Sequence, residues 1–147
     1  MTDDACEFPA SNPVSSEIES LLERSKVIAV VGLSSNPERD SHRVASYLID
    51  HGYTVVPVNP RETEILGQTS YPDLASIPHD VDIVDIFRKV EFIPAIVDAA
   101  IAKKAKAVWM QLGLAHNESA DRARQAGLEV VMSKCIKIEH ANLMPLP

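Results

Sequence analysis

The chain has 147 residues, 21 acidic against 14 basic, for a net charge of -7 with its five histidines neutral. That length holds one domain with a proper core and is short for two, and the acidic balance argues against a nucleic-acid partner, which needs a clustered basic surface. No apolar run reaches the ~20 residues of a membrane span, and the opening Met1-Thr-Asp-Asp-Ala-Cys-Glu7 lacks the basic and apolar regions of a secretory leader, so the expected location is cytoplasmic.

In a reducing compartment Cys6 and Cys135 are expected as free thiols rather than a bridge. His42, His51, His79, His116 and His140 show no spacing that would set two ligands on one helix face, so no metal is assigned.

Residues 1–14 are polar, carry Pro9 and Pro13 and lack periodicity, which reads as a flexible N-terminal arm ahead of a single domain over 15–147. Ser16-Glu-Ile-Glu19 matches a capping box, predicting a helix to about Arg24 that buries Ile18, Leu21 and Leu22. The next five residues of strand type, Val27–Val31, are all apolar and read as a strand covered on both faces in a parallel sheet. Gly32 breaks that strand. A loop of small and turn-forming residues follows, then a helix from about Ser41 to His51 with Val44 and Leu48 inward, closed at Gly52.

A second strand, Thr54–Val58, contains Pro57, which predicts a bend or local irregularity because proline cannot donate to a ladder. Residues 61–80 read as a long connection with a helical turn around Asp73 to Ser76. The third strand, Val81–Phe87, is apolar at alternate positions with aspartates between. Ile93, Ile96, Val97, Ala100 and Ile101 then mark one face of a helix. Lys106–Met110 is a fourth strand, Asn117 to Gln125 a helix stopped by Gly127, and Leu128–Met132 a fifth strand. This alternation predicts an α/β, Rossmann-like, doubly wound parallel sheet of five main strands with helices on both faces and right-handed crossovers, the strand order being expected as 3-2-1-4-5.

The strand, glycine turn and helix around Gly32 aim backbone N–H groups and the positive end of a helix dipole at one spot, which suits a phosphate. Ser34, Ser35 and Ser41 offer hydroxyls there, beside Leu33, Asn36, Pro37 and His42. Only one glycine of the three in G-x-G-x-x-G is present, so the alternative that Gly32 merely turns strand into helix stays open. In such a sheet the ligand lies outside the carboxyl ends of the strands, at the point where the winding reverses. That gathers the Gly32–Arg43 segment, Asn59-Pro60-Arg61, Phe87-Arg88 and Gln111-Leu112-Gly113. Arg39, Arg43, Arg61 and Arg88 all follow one of the first three strands, whereas Lys26, Lys103, Lys104 and Lys106 precede strands and belong to the opposite end. Arginine's planar fork fits phosphate. After the second strand stand Val58-Asn59-Pro60-Arg61 in place of the acid an NAD site wants, which favours a phosphorylated ribose, as in NADP or coenzyme A, and disfavours NAD.

The run Val30-Val-Gly-Leu-Ser-Ser-Asn-Pro-Glu-Arg-Asp-Ser-His-Arg-Val44, with Tyr53 to Pro60, Ile86-Phe87-Arg88, Trp109-Met-Gln-Leu-Gly113 and Cys135-Ile-Lys-Ile-Glu-His140, resembles the small stand-alone CoA-binding proteins of bacteria and archaea. Those are similar in fold to the CoA-binding domain of the succinyl-CoA synthetase alpha subunit, and the likeness runs roughly from Ser16 to His140. The resemblance implies coenzyme A, or a short acyl-CoA, as ligand. It implies that the Gly32 loop meets the pyrophosphate, that Asn59-Pro60 and the residues after them lie near the phosphorylated adenosine, and that Ile86, Phe87 and Arg88 flank the ligand. The synthetase draws its phosphorylated histidine from a second domain that has no counterpart in this sequence, so no catalytic residue is assigned and His42 and His140 are read as surface or structural. Cys135, between Lys134 and Lys137, could exchange with a CoA thiol or be inert and partly buried, and the second is preferred. The expected function is non-catalytic CoA binding. The alternative is an NADP-dependent or acyl-CoA-using enzyme acting with a partner subunit, and homo-oligomerisation is left open.

Overall fold

Apolar β-branched runs alternate with amphipathic stretches, and the computed structural model, which describes residues 7–144, alternates strand and helix accordingly. The elements are α1 (Ser15–Arg24), β1 (Val27–Val31), α2 (Asp40–Asp50), β2 (Thr54–Val58), β3 (Glu64–Ile65), β4 (Gln68–Thr69) and β5 (Ile83–Ile86). They continue with α3 (Ile93–Lys103), β6 (Ala107–Met110), α4 (Asn117–Gln125), β7 (Glu129–Val131) and α5 (Ile136–Leu143). Among the described residues no helix is long and apolar enough to cross a membrane.

Five parallel strands form the central sheet in the order β2-β1-β5-β6-β7, and β3 and β4 make a separate antiparallel hairpin. The α/β doubly wound class is as expected, but the third main strand sits elsewhere. An order of 3-2-1-4-5 would put β5 outside β2; it lies instead between β1 and β6, with Ile28 opposite Ile83 and Ile86 opposite Met110. The two aspartates between its apolar positions have different surroundings. Asp82 precedes the strand and accepts from the N–H groups of Lys26 and Val27 at 2.8 and 2.9 Å, while Asp85 is 0 % exposed. With all four of its residues buried, β5 needs a neighbour on each side. The winding leaves β1 toward β2 and returns past it to β5, so the reversal falls between β1 and β5.

Two apolar cores flank the sheet. Ile28, Val30 and Trp109 pack under α1, α2 and α5, and Ala29, Val84 and Met110 under α3 and α4. On the first face Tyr53 donates to the Leu22 carbonyl at 2.7 Å, tying β2's start to α1. Pro57 causes no break, since β2 is an edge strand in continuous register with β1. The Pro57 carbonyl accepts from Tyr71 N–H on the outer side, where its missing donor also points.

Three local readings change. Helix α1 begins one residue before the expected cap: Val14 is its N-cap residue, and Glu17, rather than Glu19, reaches back to accept from the Val14 N–H at 3.1 Å. The expected flexible arm divides in two. Residues 1–6 lie outside the described residues, while 7–13 are irregular but tied down: Asn12 exchanges two hydrogen bonds of 2.8 Å with the Met132 backbone beyond β7, and Ala10 N–H donates to Asn117 Oδ1 at 2.7 Å. Asn12 thus pairs with the open edge of the sheet. Finally, α5 is a helix that periodicity did not signal, and its N-terminus packs against the end of β6, where Gln111 Oε1 accepts from Ile136 N–H at 3.2 Å.

Candidate functional site

At the β1–β5 reversal Gly32 takes φ +89°. A Cβ there would stand 2.5 Å from the Phe87 carbonyl oxygen and 2.8 Å from Arg88 Cδ. The glycine is therefore required by the close passage of the β5 loop, and not only by the approach of a ligand. Beyond it the loop folds on its own side chains. Ser34 N–H donates to Ser41 Oγ at 3.0 Å, Asn36 N–H to Ser34 Oγ at 3.0 Å, and Glu38 N–H to Asn36 Oδ1 at 2.9 Å. Ser34 and Ser41 accept in these bonds and so keep their O–H protons to donate. Asn59 ties the loop to the end of β2, donating from Nδ2 to the Leu33 carbonyl at 2.9 Å and accepting from Arg61 N–H at 2.8 Å.

A polar cleft of about 630 Å³ opens over this loop. Of the residues expected from sequence, Gly32, Ser34, Arg39, Ser41, Asn59, Pro60, Arg61, Phe87 and Arg88 line it. Asp40, Phe87 and Arg88 are shared with a second cavity of about 510 Å³, whose walls include Val44, Leu112, Leu114 and Ile138. Arg43, Gln111, Cys135 and Lys137 add polar groups there. A charged chamber thus runs into a largely apolar one.

The arginines differ in what already occupies them. Arg43 is held by Asp40 at 2.6 Å and by the Glu38 carbonyl at 2.7 Å, and the Arg88 guanidinium lies 4.2 Å from the centre of the Phe92 ring. Among the described residues Arg39 and Arg61 enter no ion pair. The cleft therefore presents Arg39, Arg61 and Arg88 to an anion, with Arg43 committed to the start of α2.

Several expected residues stand back from the cleft. Leu33 and Ile86 are 0 % exposed with side chains in opposite cores, so only their backbone can meet a ligand. Asn36 and Pro37 are exposed and shape the loop, Ser35 turns its hydroxyl to Glu62, and His42 is half-buried and lines neither chamber. Gly113 N–H donates to Ser133 Oγ at 3.1 Å and also lies off both linings. His140 is buried in the α2–α5 contact, its Nδ1 2.9 Å from Tyr47 Oη; burial first and then His51 push its imidazole below the usual histidine range.

Sequence reasoning missed the lining residues Asp40, Val44, Leu114, Lys137 and Ile138, and also Glu62, which lines neither chamber but joins the loops after β1 and β2. Ser35 Oγ donates to Glu62 Oε2 at 3.1 Å, so a carboxylate does stand just beyond β2, four residues after Val58. An acidic residue near the second strand's end was the available signal. Among the described residues no three His, Cys, Asp or Glu side chains gather as a metal site.

Strand order, glycine turn and adjoining chambers define a doubly wound domain of the Rossmann type, open at its switch point. The chain belongs to the CoA binding domain family, which it matches over residues 26–141. It is 41 % identical over 130 residues to the uncharacterized protein YneT of Bacillus subtilis (strain 168), covering 88 % of this chain and 96 % of that one. A hypothetical protein from Pyrococcus horikoshii OT3 superposes with a TM-score of 0.88 at 39 % identity, over 98 % of this chain and 99 % of its own. The alpha subunit of acetate–CoA ligase (ADP-forming) II from Pyrococcus furiosus is 29 % identical over 129 residues, and the match spans 79 % of this chain but 28 % of that subunit.

Proposed function

We propose that this protein binds coenzyme A, or a short acyl-CoA, as a small cytoplasmic binding protein without catalytic residues of its own. The observation that carries the reading is the joined pair of chambers. One is ringed by Arg39, Arg61 and Arg88 over a glycine turn, and the other is walled by Val44, Leu112, Leu114 and Ile138, with Phe87 and Arg88 shared between them. Coenzyme A has the matching division, a multiply phosphorylated nucleotide and a long neutral arm. The pyrophosphate would take the Ser34 and Ser41 hydroxyls and the start of α2, the ribose phosphate Arg61 or Arg39, and the arm the apolar chamber toward Cys135.

A second reading rests on the acetate–CoA ligase subunit, of which the chain matches about a quarter. The domain would then serve an acyl-CoA-using enzyme completed by a partner subunit. Turnover of an acyl-CoA or NADPH by the purified chain alone would overturn the binding-only reading.

Thermal unfolding tests the ligand. A ligand at a hundredfold excess over Kd stabilises by about 2.7 kcal/mol, which for a chain of this size raises the midpoint by roughly 5 to 11 °C. CoA should produce that shift and should protect Cys135 from alkylation. If NADP shifts the midpoint and CoA at equal concentration does not, the CoA assignment fails.

A further inference from the structure

We infer that Glu62 reads which ribose oxygen of the nucleotide carries phosphate, accepting a hydrogen bond from a free 2′-hydroxyl and repelling a 2′-phosphate. The inference rests on the proposed nucleotide site. Two bridges knit the loop after β1 to the loop after β2: Asn59 Nδ2 donating to the Leu33 carbonyl at 2.9 Å, and Ser35 Oγ donating to Glu62 Oε2 at 3.1 Å. A nucleotide with its pyrophosphate over the Gly32 loop and its adenosine toward β2 has its ribose between these loops, where the second bridge lies. Ser35 occupies one acceptor site of the Glu62 carboxylate, and a carboxylate offers about four. Glu62 is half-buried and, like Ser35, stands just off the cleft lining, while Arg61, the residue before it, lines the cleft. An acceptor and a cation therefore follow one another in the loop after β2, which suits a ribose bearing one hydroxyl and one phosphate on neighbouring carbons.

Coenzyme A has that ribose, with its phosphate on the 3′ oxygen and its 2′ oxygen free. NADP carries the phosphate on the 2′ oxygen, and a phosphate dianion placed against a half-buried carboxylate loses at least about tenfold in affinity by like-charge repulsion. The same carboxylate that an NAD site uses on an unmodified ribose here discriminates between two phosphate positions, because Arg61 stands beside it.

The test compares CoA with its isomer phosphorylated on the 2′ oxygen, two ligands of equal charge and composition, by calorimetry on the native chain and on Glu62→Gln, which keeps the shape and removes the charge. The native chain should bind CoA at least about tenfold tighter than the isomer. In Glu62→Gln the affinity for CoA should fall by no more than about tenfold, that for the isomer should rise, and the preference should largely disappear. Equal affinity of the native chain for the two isomers, or an unchanged preference in Glu62→Gln, would overturn the role of Glu62 while leaving CoA as the ligand. Failure of the native chain to bind CoA at all would overturn the underlying site and this inference with it. An unaltered unfolding midpoint of ligand-free Glu62→Gln shows that a changed preference does not arise from a loss of folding.

Discussion

Asp85 sits in the central strand in register with Val30 of β1 and Trp109 of β6, fully enclosed, and neither carboxyl oxygen has a hydrogen-bond partner. Burial pushes its acid well above the ordinary carboxylate range of about 3.8, because an ion there loses hydration without gaining a counter-charge. The native chain thus keeps a proton that the unfolded chain gives up near its ordinary value. With more protons bound in the native state, the stability linked to Asp85 is fully present below about pH 4 and is lost as pH rises toward the native value. Within that window the slope approaches about 1.4 kcal/mol per pH unit, or roughly 3 to 6 °C in the midpoint of a chain this size. Asparagine is close in shape and neutral at every pH, so Asp85→Asn should gain on the native chain by up to about 1.4 kcal/mol for each pH unit between the ordinary carboxylate value and the raised native one, whatever the fixed cost of its own unpaired amide. Urea unfolding followed by the fluorescence of Trp109, the single tryptophan, measures both chains. Titration of His140 is common to both and cancels in the difference. A stability difference that stays constant from pH 5 to 7 would mean that Asp85 ionises as readily in the native core as in the unfolded chain, and would refute the argument.

Gly32→Ala should destabilise by about 2 kcal/mol or more, combining the left-handed backbone cost with the 2.5 Å approach to the Phe87 carbonyl. Gly52→Ala, at φ +94° with open space around it, should lose only about 1 kcal/mol, and equal losses in thermal melts would remove the close-passage explanation. Arg61→Ala or Arg39→Ala should weaken CoA more than dephospho-CoA in calorimetry, whereas equal losses for both ligands in both variants would take the ribose phosphate away from these arginines. Because the His140 imidazole is held below its ordinary 6.5, the stability it contributes is present above that value and lost as pH falls through the lower native one. His140→Gln should flatten that acid limb below about pH 6.5, and an unchanged limb in denaturant titrations would exclude His140 as its source.

The sheet strands, the glycine turn and α2, α3 and α4 were legible because each is a local pattern: Val27–Val31 is continuously apolar, Gly32 breaks the run, and Ile93, Val97 and Ala100 recur at the spacing of one helix face. The arginines after the first three strands were legible for the same reason, since in a parallel sheet every strand's carboxyl end lies at one rim. The position of β5 was not, because sequence shows that a strand carries aspartates without showing that one caps a neighbour's N–H groups and the other lies unpaired in the core. The hairpin at Leu66-Gly67 lacked the usual asparagine or aspartate, though both residues take positive φ, and α5 is eight residues long with its buried positions, Ile136 and His140, split between an aliphatic and an imidazole. Local patterns therefore determined the five main strands, the helices before α5, the class of fold and the rim at which the carboxyl ends of the strands gather. Which strand stands at the centre, how α5 completes the apolar chamber, and that Glu62 meets Ser35 across 27 positions of chain were decided only by tertiary packing, because strand order and loop-to-loop contacts depend on long-range pairing that no single stretch encodes.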